Sequence, residues 1–111
     1  MPALLEYLDD NGRAPFALWL ADLPTPAALK VTTALSRLEA GNTSALNAVG
    51  QGVHEVRIDL GPGYRVYLGL RGTAWVILLG GSAKARQARA IADAQRRWMD
   101  YKARQRRGER G

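Results

Sequence analysis

The chain has 111 residues, 47% of them hydrophobic and 23% charged, a balance that fits one folded domain with a modest core and excludes a disordered chain. With no cysteine and one histidine, it excludes disulfides, thiolate-held metals and a His-rich metal centre. The net charge of +6 is uneven: residues 1–83 sum to −1 and residues 84–111 to +7, which favours a polyanionic partner, although a solvated helix face with a solubilising tail produces the same asymmetry.

Met1–Asp10 carries acidic residues and no cationic run, so no secretion signal is expected. The longest apolar run, Ala74–Leu79, is too short to cross a bilayer. A cytoplasmic protein without membrane contact is the expectation. Leu4–Leu8 reads as a first strand, closed by the turn-forming Asp9-Asp10-Asn11-Gly12. Pro15 suits a helix start, and Phe16, Trp19, Leu20 and Leu23 recur at helical spacing, which predicts a helix over 15–23 that Pro24 stops. Thr25 and Pro26 then predict a second start, with a side-chain cap and a proline at the first helical position. Ala28, Val31, Leu35 and Leu38 give it an apolar face, and Gly41 closes it in the left-handed conformation. Only the Pro24–Thr25 joint separates the two helices, which predicts an antiparallel hairpin. Leu46–Val49 reads as the start of a strand after a polar loop.

From Val53 the period changes to two. Val56, Ile58 and Leu60 face one way, and Glu55, Arg57 and Asp59 the other. After Gly61-Pro62-Gly63, one face holds Tyr64, Val66, Leu68 and Leu70, and the other holds Arg65, Tyr67, Gly69 and Arg71. The apolar sets must share the core side, so the connection needs an odd number of residues and a bulge at Gly61 or Gly63. Trp75–Leu79 is apolar on both faces, as a central strand covered on both sides would be. Gly80-Gly81-Ser82-Ala83-Lys84 lacks the phosphate-loop pattern, and its glycines suit an exit from the sheet. Residues 84–106 predict a basic C-terminal helix, with Ile91, Ala94, Trp98 and Tyr101 on one side and Arg86, Arg89, Arg97 and Arg104 near the other. The polar, cationic end is expected to be disordered. The element order predicts an α+β fold: an N-terminal helical hairpin packed over one face of a small antiparallel sheet, and a second face left partly open. One domain is expected over residues 1–103, with a basic tail at 104–111.

The run Gly-x-Gly-Val-x-Glu-x-Arg-Ile-Asp, then Gly-Pro-Gly-Tyr-Arg-Val-Tyr, then Leu-Leu-Gly-Gly-x-x-Lys-x-x-Gln resembles the "addiction module killer protein" branch of the RelE/ParE toxin superfamily. The resemblance spans about Phe16 to Trp98 and includes Leu-x-x-Leu-x-x-Gly-Asn at Leu35–Asn42. It implies a twisted antiparallel sheet carrying the hairpin, and membership of a type II toxin–antitoxin pair. It also implies a cognate antitoxin, usually a small helix-turn-helix protein. RelE-like members cleave mRNA in the ribosomal A site, and ParE-like members inhibit gyrase on a similar scaffold, so fold alone does not choose. Where close relatives follow the Lys-x-x-Gln motif with Asp-Ile, this chain has Ala90-Ile91.

Metal-free RNA cleavage needs a base for the 2′-hydroxyl proton, an acid for the leaving 5′-oxygen and cations for the charge gathering on phosphorus. Arg57 and Arg65 are the candidate phosphate grips, since a guanidinium holds phosphate bidentately. The resemblance gives both of them catalytic roles, and gives Lys84 the basic position at the last strand's exit. Glu55, beside Arg57 on one face, is a usable but weak base. His54 is a better proton acceptor near neutrality, but alternation turns it to the core side. Tyr67 can donate a proton or stack on a base. Arg71, Arg86, Gln87, Arg89 and Arg97 are candidate RNA-binding residues. The plainer readings are an exposed Glu55–Arg57 pair and an Arg65–Asp59 pair across the hairpin. The expected function is a metal-independent, ribosome-dependent mRNA endoribonuclease, neutralised by its antitoxin and needing no cofactor. A gyrase-inhibiting toxin and a non-catalytic RNA-binding module stay open as alternatives. On this reading Arg65→Ala abolishes activity without unfolding the protein.

Overall fold

The computed structural model describes residues 2–110. In chain order it has strand β1 (Ala3–Glu6), helices α1 (Pro15–Ala21) and α2 (Thr25–Glu39), strands β2 (Asn47–Gly50), β3 (Val53–Ile58), β4 (Tyr64–Arg71) and β5 (Trp75–Ala83), a 3-10 turn at Lys84–Arg86, and helix α3 (Gln87–Arg110). The strands form one sheet in the order β1-β5-β4-β3-β2.

This corrects the expected architecture of an N-terminal helical hairpin on an antiparallel sheet. The first element is a strand of the sheet, and it pairs parallel to β5, with Leu4 opposite Val76 and Glu6 opposite Leu78. The sheet is therefore mixed. The two helices that follow do not pair along their length. α1 has seven residues, about 10 Å of helix, too little to bury a stripe on α2 and on the sheet together. Instead α1 packs on β5, and α2 packs on β3. Their buried faces (Phe16, Val31, Leu35 and Leu38) meet Val56, Val66, Leu68, Val76 and Leu78 in one core layer.

The opposite face is not left open. α3 crosses it, and Ala94 and Trp98 close a second layer over Tyr7, Val53, Tyr67, Ile77 and Leu79. Arg65, Tyr67 and Gly69 gave this face a polar look in the sequence, but the apolar residues that β3 and β5 also supply there require cover. Gly69 matters because it has no side chain. Trp98 lies flat on it, with Cε3 only 2.5 Å from where a Cβ would stand.

Local geometry sets the register. Ile58 pairs with Tyr64, so residues 59–63 form the connection, with Gly61 at φ 55° and Gly63 at φ 78° in the left-handed region. In β5, Tyr67 pairs with Gly80 and Leu68 with Leu78, which leaves Leu79 as a bulge. The predicted cap at Thr25 is corrected: Pro24 is the capping position, Thr25 lies inside the helix, and no side chain caps it. The last helix continues through 104–110, where a tail was expected; Met1 and Gly111 lie outside the described residues. Arg104 anchors that stretch by donating to the Leu8 carbonyl and to Asp10, and it pairs with Asp100. No helix among the described residues is long and apolar enough to cross a membrane.

Candidate functional site

Arg57 and Arg65 are directly opposite each other on β3 and β4. In an antiparallel pair, opposite residues share a face, and here it is the face that α3 covers. Both guanidiniums converge on Glu55. Arg57 Nε donates to Oε2 at 2.9 Å, and Arg65 Nη1 lies 3.3 Å from each carboxylate oxygen. The two arginines sit in different surroundings. The Arg57 side chain is 64% exposed, Arg65 is 11% exposed and Glu55 only 3%. Arg65 thus pairs with Glu55 rather than Asp59, and the Glu55–Arg57 pair is exposed on one side only. Glu55 as placed is a hub that holds two cations, with neither oxygen free.

Tyr67 is fully buried, and its hydroxyl lies 3.1 Å from Ser82 Oγ. Burial pushes its phenol above the ordinary value, and the nearby Glu55 carboxylate adds to the rise, while Ser82 and Arg65 pull the other way. The group keeps its proton and cannot reach a substrate without a rearrangement. Ser82 is opposite Arg65 and is itself buried. The sequence reading missed it as a site residue. Its signal was the position two places before Lys84, but the Leu79 bulge decides which way the hydroxyl points. Lys84 is exposed, and its backbone N–H donates to the Gly63 carbonyl at 3.0 Å. That bond ties the exit of β5 to the Gly-Pro-Gly turn, so Lys84 stands at the Arg65 end of the sheet.

The outer cations divide into three groups. Arg86 and Arg89 are exposed and line a cleft of about 550 Å³ with Trp19, Tyr64, Ser82 and Ala90, close to the Arg65 end. Asp22 and Asp93 also line it, so its charge is mixed. Gln87 is the half-buried first residue of α3. Arg97 is committed to structure: its Nη1 donates to the Leu79 carbonyl at 3.0 Å and fills the space above Gly80 at the bulge. Arg71 stands at the other end of β4, where its Nη1 is 3.4 Å from the Tyr101 hydroxyl. It lies six positions along the strand from Arg65, roughly 20 Å, so the two do not share a site. His54, opposite Leu68, faces the α2 side, and its buried Nδ1 has no hydrogen-bond partner among the described residues. Among the described residues no three His, Asp or Glu side chains converge to hold a metal ion.

No family model matches this chain. A protein of Haemophilus influenzae (strain ATCC 51907 / DSM 11121 / KW20 / Rd), described as "Uncharacterized protein", is 40% identical over 81 residues, covering 72% of this chain and 82% of that one. The chain belongs to the same family as that protein. No solved structure matches.

Proposed function

We propose that this protein is the cytoplasmic toxin of a toxin–antitoxin pair, a metal-independent endoribonuclease that cuts mRNA on the ribosome. A single observation carries the reading: two arginines face each other across β3 and β4 on one carboxylate, and one of them is mostly solvent-exposed. Arg57 spends only its Nε on Glu55; its terminal nitrogens have no hydrogen-bond partner among the described residues. A phosphodiester competes for that guanidinium. When Arg57 turns to it, Glu55 Oε2 loses its closest donor and becomes the nearest acceptor for the 2′-hydroxyl proton. The 2′-oxygen then attacks phosphorus, the bond to the 5′-oxygen breaks, and Lys84 at the same end of the sheet protonates the leaving oxygen. The products are a 2′,3′-cyclic phosphate and a 5′-hydroxyl. Arg65 holds Glu55 in place throughout. Arg86 and Arg89 add cationic footing for the RNA backbone, and an antitoxin neutralises the activity.

A non-catalytic RNA-binding module is the second reading. The closed Glu55 hub and the buried Tyr67 hydroxyl favour it. Induced expression followed by mapping of mRNA 5′ ends, with and without translating ribosomes, separates the two. New 5′ ends that need ribosomes and disappear in Arg57→Ala support the nuclease. RNA affinity that falls with salt, with no product, selects the binding module. Intact mRNA with accumulating cleaved DNA points to gyrase inhibition and overturns both.

A further inference from the structure

At the end of β4 away from Arg65, the last turns of α3 frame a small groove of about 240 Å³. Its floor is Leu70, Trp98 and Tyr101, and its rim carries Arg71, Lys102 and Arg106. Among the described residues no acidic side chain lines it. Arg71 and Lys102 form no ion pair among the described residues; Asp100, two residues before Lys102, is instead engaged with Arg104 and Tyr7. An apolar floor inside a cationic rim fits an apolar side chain flanked by carboxylates.

We propose that this groove docks an acidic segment of a partner protein, with one apolar anchor on the Trp98–Tyr101 floor and carboxylates on Arg71, Lys102 and Arg106. The state of the aromatics favours a peptide over RNA. Trp98 lies on Gly69 by one face and is stacked on Tyr101, with ring centroids 5.5 Å apart and planes 8° from parallel. Lys102 Nζ sits 5.5 Å from the same ring. Trp98 is only 5% exposed, so its indole offers no open face to a nucleobase, the usual anchor for single-stranded nucleic acid. What remains is an apolar slot for an aliphatic or aromatic side chain, with charge complementarity setting the orientation of its neighbours. The inference does not rest on the sheet site: Glu55 is level with Tyr67, three residues or roughly 10 Å along β4 from Leu70 in the groove floor.

The test uses the full chain and a short fluorescein-labelled peptide of alternating Leu and Glu, read by anisotropy. A second peptide with Gln in place of Glu and a competing oligouridylate complete the set. The Leu/Glu peptide binds, the Leu/Gln peptide does not, and the Trp98 indole N–H resonance shifts on binding. K102E/R106E weakens binding roughly tenfold or more, and Arg57→Ala leaves it unchanged. Both rim residues are exposed, so the double variant keeps its fold, which circular dichroism checks; Arg71→Ala serves as a milder second variant. Equal binding of the two peptides, unchanged affinity in K102E/R106E, or displacement of the peptide from Trp98 by the oligouridylate overturns the proposal. The last outcome assigns the groove to nucleic acid.

Discussion

Arg65 holds Glu55 from within the covered face of the sheet, with one guanidinium nitrogen 3.3 Å from each carboxylate oxygen. At that length the pair is looser than an ideal charge-assisted bond, and both partners are almost out of water. A buried pair of this kind contributes little net stability, and losing Arg65 leaves the buried Glu55 carboxylate with only the mostly exposed Arg57 guanidinium. Arg65→Ala therefore unfolds more readily, by about 1–3 kcal/mol, a loss to be weighed against any fall in its activity. Urea denaturation measures the loss. Replacing both partners, Glu55→Leu with Arg65→Met, recovers most of it.

Arg57 is the clean probe of function. Its side chain is mostly exposed, so Arg57→Ala changes stability by less than about 1 kcal/mol. If Arg57 grips the scissile phosphate, the same change lowers cleavage by about 10²-fold or more. Arg57→Lys restores only part, because an ammonium lacks the two-point grip. Growth arrest and 5′-end maps in the three strains report it. Full activity in Arg57→Ala would falsify the phosphate role.

Gly69→Ala tests the seat of α3 on the sheet. The added methyl meets the Trp98 ring with Cε3 at 2.5 Å, so the ring and its helix must shift. A cost of about 1–3 kcal/mol follows from overpacking. Thermal unfolding reads the cost, and near-ultraviolet circular dichroism reads the displaced indole.

Alkaline pH tests the link between the N-terminus and α3. Tyr7 donates its hydroxyl proton to Asp100 Oδ2 at 2.7 Å, and burial with that carboxylate raises its phenol from the ordinary 10.0 to about 12. The folded protein keeps a proton that the unfolded chain releases near pH 10. The stabilisation is whole below that pH and is lost as pH rises towards about 12. Tyr7→Phe flattens that fall, as seen in midpoints of urea unfolding across the range. An unchanged slope would show that Tyr7 is not its source.

Much of the layout was legible because it is local. Alternation from Val53 to Arg71 is enough to put Glu55, Arg57, Arg65 and Tyr67 on one face once the Gly61 and Gly63 turn sets an odd-length connection. The apolar faces of the two first helices follow from residue spacing, and Phe16, Val31, Leu35 and Leu38 are all buried. The site was less legible. Ser82 reaches Tyr67 only because Leu79 bulges, and a bulge leaves little trace in composition. Arg97 reads as a surface cation, yet it serves the carbonyl that the bulge frees.

The amino-acid sequence by itself determined the strand faces, the helical stripes and the concentration of positive charge at the C-terminal end, because each depends on neighbours a few residues apart. Tertiary structure alone decided that β1 returns beside β5 and that α3 covers the second face. It also decided that Arg65 is buried while Arg57 is not. Those outcomes depend on which distant apolar surfaces find one another, and the free energy of burying them against water outweighs the polar pattern of any single strand.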